Sequence, residues 1–201
     1  FIRQLAWRDF YYHLYYYFPY VLERSFKEKY KNIFWDNDKE LFISWSKGLT
    51  GYPFVDAGMR QLLAEGFMHN RLRMITASFL TKDLLIDWKK GENFFMEKLI
   101  DGDVILNNGG WQWSASTGSD AQPYFRIFNP VSQSKKFDSE GKYIKKYIPE
   151  LKNVPTKYIH EPWKMSKEEQ KAVGITIGKD YPYPIVNHQE QRIKALELYK
   201  I

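Results

Sequence analysis

Two pairs of neighbouring residues each combine a flat aromatic ring with a hydrogen-bonding side chain. Trp7 precedes Arg8, and Gln112 precedes Trp113. A tryptophan ring offers a face on which an unstacked nucleobase can stack, each stack contributing roughly 1–3 kcal/mol, and the polar neighbour can bond to the base edge. Core tryptophans with polar neighbours would give the same pattern. Composition by itself favours that structural role, and the residue types leave both interpretations open.

The usual signatures of phosphate, metal and hydrolytic sites do not occur in the sequence. It has neither GxGxxG nor GxxxxGK followed by Ser or Thr, and no GxSxG elbow. The 4 histidines, at positions 13, 69, 160 and 188, lack metal-ligand spacing, and we expect each to be a structural core or surface residue. We interpret Gly109 and Gly110 as a turn. Nothing in these patterns supports a metalloenzyme or a hydrolase.

The composition is that of a globular protein with an excess of aromatic residues. The chain has 201 residues, no cysteine, a net charge of +6 and an aromatic fraction of 18%. Without cysteine, the sequence holds no disulfide, thiolate zinc site or cysteine nucleophile, and the basic balance favours a polyanionic partner such as nucleic acid. No stretch reaches the ~18 apolar residues of a membrane span, and the start is not a signal peptide, so we expect a cytoplasmic protein.

Helical periodicity dominates the chain. It predicts helices over 1–14, 39–47, 55–65, 68–80, 82–88, 92–100 and 188–199, with coil and short helices between 121 and 187. In the first helix one face is expected to pack and the opposite face to be free for binding. The packing face comprises Ile2, Leu5, Ala6, Phe10 and Leu14, and the binding face Gln4, Trp7, Arg8 and Tyr11. Met59, Leu62 and Leu63 are predicted to form a core stripe. The expected fold is all-α, with residues 1–201 in a single domain.

Five segments, in order along the chain, resemble the flavin-binding helical domain of the photolyase/cryptochrome family. They are RQLAWRDFYYHL, WSKGLTGYPFVDAGMRQL, GFMHNRLRMITASFLTKDLLIDW, LIDGDVILNNGGWQWSASTGSDAQPYFRIFNPVSQSKKFD and YPYPIVNH. The resemblance covers essentially the whole chain and is close to that of class I cyclobutane pyrimidine dimer photolyases. It implies a light-driven lyase that uses reduced FAD to split pyrimidine dimers in DNA by electron donation.

The resemblance also assigns roles to individual residues. Those at FAD-contacting positions are Phe1, Arg73, Asp101, Gly102, Asp103 and Asn107, with Arg73 pairing with Asp101 and Asn107 facing the flavin N5 edge. Those at the electron-relay positions are Trp111, Trp88 and Trp35. Because Trp111 lies one helical turn after Asn107, both can share the cofactor-facing side of one helix. Asp101 without Arg73 would be a buried, unpaired carboxylate, so that pair can also be structural.

The same resemblance implies a slot for a flipped-out pyrimidine dimer. Its positions are Gln4, Trp7, Arg8, Tyr11, Asn70, Arg71, Met74, Trp113 and Gln133, with Trp7 and Trp113 bracketing the dimer. Basic residues including Arg8, Arg71, Lys135 and Lys136 are expected to contact phosphates, which makes binding salt-sensitive and independent of sequence.

Two departures from the family pattern matter. Gln4 stands where dimer-specific enzymes usually carry a glutamate, and a glutamine there resembles the (6-4) photolyases and animal cryptochromes instead. Asn70 and Met74, by contrast, favour cyclobutane dimers. In addition, the family's N-terminal α/β domain, with its antenna chromophore, and the helices that cradle the flavin phosphates would precede Phe1. We therefore expect a fragment that binds FAD weakly alone and needs the preceding sequence or a complementary chain. A cryptochrome-like photoreceptor without repair is the alternative function, and a flavin-free nucleic-acid-binding module is a distant third.

Overall fold

A computed structural model describes residues 2–200 of the chain. Within that range ten α-helices are α1 (Ile2–Tyr17), α2 (Lys39–Ser46), α3 (Pro53–Glu65), α4 (Asn70–Ser78), α5 (Trp88–Lys98), α6 (Val104–Ser114), α7 (Pro130–Phe137), α8 (Lys142–Tyr147), α9 (Lys167–Val173) and α10 (His188–Leu198). Short 3-10 turns join several of them, and residues 2–200 contain no β-strand beyond an isolated bridge between Ile177 and Tyr181. The predicted all-α fold is confirmed.

Local capping explains where several helices begin and end. The side chain of Asp38 accepts a hydrogen bond from the Leu41 amide at the start of α2, and Asp87 accepts one from Lys89 at the start of α5. Each carboxylate satisfies an amide that has no partner within the helix. At the other end of α3, Gly66 has a φ of 63°, the left-handed conformation that suits glycine at a helix C-terminus.

The main core lies around α3, whose apolar side chains pack against α4 and α8. Trp45 of α2 is completely buried, and its Nε1 donates to the carbonyl of Thr76 at 3.0 Å. Its ring stacks on Phe95 of α5 at a centroid distance of 6.0 Å. This aromatic packing fixes α5 and α6 side by side, which is the arrangement on which the cleft described below depends.

Two expectations from periodicity are wrong. Residues 82–88 do not form a helix, because α4 continues into a π-helical turn over Phe79–Asp83 and the Asp87 cap starts the next helix only at Trp88. Between them Leu85 has a φ of 53°, which interrupts any helix. Leu63 is 47% exposed, outside the core stripe to which Leu62 belongs.

The first helix departs most from prediction. No residue of α1 is buried, and Ile2, at the tip of the expected packing face, is 80% exposed. Within the described residues α1 contacts α6 and the following 3-10 turn, and these contacts lie on the side of Tyr11 rather than of Leu5 and Phe10. The face predicted to bind therefore borders the rest of the structure. Of the predicted packing face only Leu14 is half-buried, and Ile2, Leu5, Ala6 and Phe10 are exposed.

None of the helices within residues 2–200 is long and apolar enough to cross a membrane. The cytoplasmic location stays a prediction.

Candidate cofactor and nucleic-acid site

A cleft of about 530 Å³ opens between α1, α4 and α6. Its floor and walls are formed by Gln4, Trp7, Arg8, Tyr11, Asn70, Arg73, Met74, Ala77, Phe95, Leu99, Asp101, Gly102, Asp103, Leu106, Asn107, Gly110, Trp111, Trp113 and Ser114. This volume is within the range of small-molecule and cofactor pockets, which run from ~300 to 1,000 Å³.

The cleft brings together thirteen residues that the sequence analysis singled out. They are Gln4, Trp7, Arg8, Tyr11, Asn70, Arg73, Met74, Asp101, Gly102, Asp103, Asn107, Trp111 and Trp113. Arg71, Gln133, Trp88 and Trp35 lie outside its lining. Phe1 lies outside the described residues.

At one wall of the cleft, Arg73 and Asp101 form an ion pair. The Nη2 of Arg73 donates to both carboxylate oxygens of Asp101 at 2.9 Å, and its Nε donates to the carbonyl of Met68 at 2.7 Å. The side chain of Asp101 is 47% exposed, so the expectation of a buried carboxylate is wrong. An ion pair this exposed contributes at most about 1 kcal/mol to folding stability. Its main role is therefore to hold the Arg73 cation at the cleft.

Asp103 has two distinct partners. Its Oδ1 accepts the amide of Leu106 at 2.9 Å, which caps α6, and its Oδ2 accepts the hydroxyl of Tyr12 at 2.6 Å. Burial acts to raise the pKa of this carboxyl, but the hydrogen bonds from Tyr12 and from main-chain amides, with Arg8 nearby, outweigh burial and leave the pKa lowered. Asp103 is therefore a fixed anion at the edge of the cleft. Sequence analysis missed Tyr12, since its partner is 91 positions away and no local pattern links them.

Asn107 is oriented by the neighbouring helix. Its Nδ2 donates to the carbonyl of Glu92 in α5 at 3.0 Å, which leaves the amide oxygen as a hydrogen-bond acceptor at the cleft. Glu92 in turn accepts from Asn108 at 2.8 Å, and burial raises the pKa of the Glu92 carboxyl to about 7. Asn108 and Gln112 also bond to the carbonyl of Val21, which ties α6 to the turn after α1.

The two adjacent glycines do not form a turn, because both lie inside α6. A Cβ at Gly109 would stand 2.4 Å from the ring of Tyr11, so the absence of a side chain there lets α1 approach α6. Gly110 lines the cleft, and a Cβ there would meet nothing within 4 Å. Both positions matter to the site, which the interpretation as a turn overlooked.

The tryptophans divide between the cleft and the interior. Trp111 lines the cleft and packs edge-on against Phe95 at a centroid distance of 4.9 Å, while Trp113 lines the same cleft two residues further along α6. Trp88, at the start of α5, is buried, and Trp35 is half-buried beside Tyr199, with ring centroids 6.1 Å apart. The three predicted relay positions thus comprise one ring at the cleft, one buried ring and one half-buried ring.

Aromatic and amide groups of α1 and α4 form the remaining wall. The rings of Trp7 and Tyr11 stack with centroids 6.1 Å apart, and Trp7 is 45% exposed. In α4, the Nδ2 of Asn70 lies 3.7 Å from the sulfur of Met74. An open aromatic ring facing polar and polarisable side chains matches what a stacked base requires.

Basic residues around Phe137 lie outside the cleft. The Arg71 guanidinium stands 4.5 Å from the Phe137 ring centroid, and Lys136 is near the same ring. Lys135 forms an ion pair with Glu161 at 2.7 Å. Gln133, on the same short helix α7, is half-buried, and its Oε1 is buried without a hydrogen-bond partner among the described residues.

The histidines have structural partners. The Nδ1 of His69 accepts the Arg71 amide at the start of α4, and His13 bonds to the carbonyl of Asp9. The buried His160 bonds to Ser134 at 2.6 Å, and His188 pairs with the buried Asp83.

Sequence and structure comparisons place this arrangement in a known family. Residues 1–201 match the family described as the FAD binding domain of DNA photolyase, and the chain belongs to it. A similar curated relative is the deoxyribodipyrimidine photo-lyase of Alkalihalophilus pseudofirmus, 60% identical over 200 residues. That alignment covers 100% of this chain and 42% of the relative, so the chain spans less than half the relative's length.

Solved structures agree. A bacterial class III photolyase from Agrobacterium tumefaciens superposes with a TM-score of 0.96 at 48% identity, covering 99% of this chain and 41% of that one. A cryptochrome from Synechocystis superposes with a TM-score of 0.92 at 43% identity, covering 98% of this chain and 41% of that one. The predicted helical fold of the photolyase/cryptochrome family is therefore confirmed, while the finer assignment to class I stays a prediction.

Proposed function

We propose that this chain carries the flavin- and lesion-binding part of a light-driven DNA repair enzyme that splits cyclobutane pyrimidine dimers. The observation that carries the proposal is the cleft itself. One part of its lining presents the Arg73 cation, the Asn107 amide and Trp111, and another part presents Trp7 of α1 with Asn70 and Met74 of α4. A cofactor and an extruded base could thus be held in contact within one cleft.

The residues present fit the isoalloxazine side of FAD. Gly110 leaves open space at the cleft, the Asn107 amide oxygen is available as an acceptor, and Arg73 supplies a cation held by Asp101. Bound FAD in its reduced form would supply the light-absorbing electron donor. The protein's part is to bind and orient the ring system and to set its charge environment, and Phe95 and Leu99 exclude water from its neighbourhood.

On the lesion side, Trp7 and Trp113 provide aromatic surfaces, and Asn70 and Met74 line the same cleft. Extruding a dimer from the duplex costs a few kcal/mol, and stacking on an aromatic ring offsets that cost. Arg8 is exposed and able to meet a phosphate beside the slot, whereas Arg71 is half-buried with its guanidinium against the Phe137 ring. Lys135 is less available for this role because Glu161 already neutralises it.

We further propose that Trp111, Trp88 and Trp35 conduct electrons between the protein surface and the cofactor. Support comes from their burial, since the first two are buried and Trp35 is only half-buried. The first member lines the cleft, so the path would end where the flavin is expected.

The whole activity requires more than these 201 residues. We propose that further sequence of the same polypeptide, or a complementary chain, covers the apolar face of α1 and completes the flavin site, with an antenna chromophore of unidentified chemistry bound there. The uncovered face of α1, with Ile2, Leu5 and Phe10 exposed, supports this view.

The test is a repair assay on the flavin-loaded protein that contains this chain. The protein is reduced, bound to an oligonucleotide with one thymine dimer and illuminated with blue light, and recovery of thymine absorbance is followed. Recovery that is lost in Trp7→Ala and Asn107→Ala is the expected result. Absence of recovery in a protein that holds reduced FAD would overturn the assignment to repair.

A cryptochrome-like photoreceptor is the second candidate, supported by the likeness to the Synechocystis cryptochrome and by Gln4 in the cleft. An amide accepts a hydrogen bond but, unlike a carboxylic acid, has no readily transferred proton. If the chain repairs dimers inefficiently for this reason, Gln4→Glu should raise the repair yield. A photoreceptor would bind and photoreduce FAD yet show no repair with either residue.

A further inference from the structure

The hydrogen bond between Tyr12 and Asp103 joins two helices with different tasks. Tyr12 belongs to α1, whose Gln4, Trp7 and Arg8 line the lesion side of the cleft. Asp103 caps α6, which carries Asn107 and Trp111 on the cofactor side. Tyr12 itself lies outside the cleft lining, while Asp103 is part of it.

The packing of α1 lies in its middle and C-terminal part. No residue of this helix is fully buried, Tyr11, Leu14 and Tyr15 are half-buried, and the ring of Tyr11 lies against Gly109 of α6. Trp7 and Arg8 lie about one helical turn before Tyr11. Their orientation therefore depends on how firmly the middle of α1 is held against α6. A hydrogen bond of 2.6 Å to a carboxylate is short and charge-assisted, and therefore belongs to the stronger class.

The Asp103 carboxylate is equally dependent on this bond. One of its oxygens is committed to the α6 amide of Leu106, and the Tyr12 hydroxyl engages the other. Without Tyr12 the carboxylate could rotate away from the cap or turn toward Arg8, which already acts on its charge. Either change would alter the edge of the cleft at which the cofactor is expected.

We propose that Tyr12 is a positioning residue that holds the Asp103 carboxylate and thereby couples lesion binding on α1 to FAD binding beside α6. The proposal rests on the proposed function. Lesion DNA that contacts Trp7 and Arg8 restricts α1 and favours the arrangement in which Tyr12 reaches Asp103. Because coupling between two sites is reciprocal, bound FAD then strengthens lesion binding by the same factor.

The experiment measures FAD affinity by flavin fluorescence in the complete protein, with and without an oligonucleotide that carries one thymine dimer. We expect the lesion to tighten FAD binding about fivefold in the parent protein, at the lower end of usual coupling strengths. In Tyr12→Phe, which keeps the ring and removes the donor, FAD binding should weaken and the lesion should change it less than ~twofold. Tyr16→Phe is the matched control, since Tyr16 lies one turn along α1 and is 77% exposed. It should behave as the parent.

A double-variant cycle separates positioning from general damage to the fold. If Tyr12 acts through Asp103, the variant Tyr12→Phe/Asp103→Asn should bind FAD no more weakly than Asp103→Asn alone. Additive losses, or lesion coupling in Tyr12→Phe equal to that of the parent, would overturn the proposal while leaving the repair function standing. A parent that fails to bind FAD or lesion DNA would overturn the proposed function and the role of Tyr12 together.

Discussion

The contact between Gly91 and Trp111 allows a strong prediction from geometry. Gly91 is the fourth residue of α5, and an added Cβ would stand 2.1 Å from Cη2 and 2.4 Å from Cζ3 of the buried Trp111 ring. Ordinary contact begins at 3.4 Å, so the ring would have to move by about 1.3 Å. Phe95 and Trp45 pack against that ring edge-on and oppose the movement.

Overpacking of this kind costs ~1–3 kcal/mol, and the upper end applies because Leu80 also lies within 2.6 Å of the added atom. Replacing glycine by alanine inside a helix stabilises the folded state by up to ~1 kcal/mol, which offsets part of this cost. The free energy of unfolding of Gly91→Ala should therefore fall by about 2 kcal/mol, measured by urea unfolding. Because Trp111 also lines the cleft, FAD affinity should fall with it.

Gly110→Ala is the matched control in the neighbouring helix. Its Cβ meets open space, so the helix gain of ~0.5–1 kcal/mol should appear without a clash. FAD binding should nevertheless weaken, because the methyl group occupies the cleft. A Gly91→Ala protein as stable as the parent, with an unchanged unfolding slope, would refute the packing argument.

Three other outcomes are expected. Burial raises the pKa of Glu92 to about 7 in the folded state, above its unfolded value, so its contribution to stability is present at acid pH and lost as pH rises through 7. The free energy of unfolding of Glu92→Gln, measured by urea unfolding, should consequently rise relative to that of the parent by about 2 kcal/mol as the pH is raised from 5 to 8. A difference between the two proteins that does not depend on pH would contradict this. His188→Ala should lower the free energy of unfolding by about 3 kcal/mol, because it leaves the buried Asp83 without its partner. The double variant Asp83→Leu/His188→Leu should recover most of this loss. Equal instability of the single and double variants would show that the pair is not the cause. Trp163 is half-buried like Trp35 but packs against Tyr52 outside the cleft lining, so it is the control. Trp35→Phe should slow flavin photoreduction relative to Trp163→Phe, followed by absorbance under illumination, and equal rates would exclude Trp35 from the relay.

Much of this protein is encoded locally. Asp38 precedes an apolar helical pattern and caps α2 where that pattern predicts a helix to begin, whereas Asp87 caps α5, which begins four residues before the predicted start at 92. In α4 the apolar Leu72 and Ile75, at helical spacing, are buried, and Arg73 lies at the cleft. Capping and helical periodicity act over a few residues, so the sequence alone reveals them. The motifs that carry the family resemblance lie in these same helices, which is why most predicted site residues meet in one cleft.

Tertiary structure decided what depends on distant partners. The packing of α1 could not be predicted from its periodicity, because which apolar face becomes covered depends on the elements beside it. The Tyr12–Asp103 bond spans 91 positions, and the value of Gly109 lies in admitting the ring of Tyr11, which no turn propensity indicates. Periodicity describes one helix at a time, whereas the cleft exists only because close packing brings several helices to fixed distances.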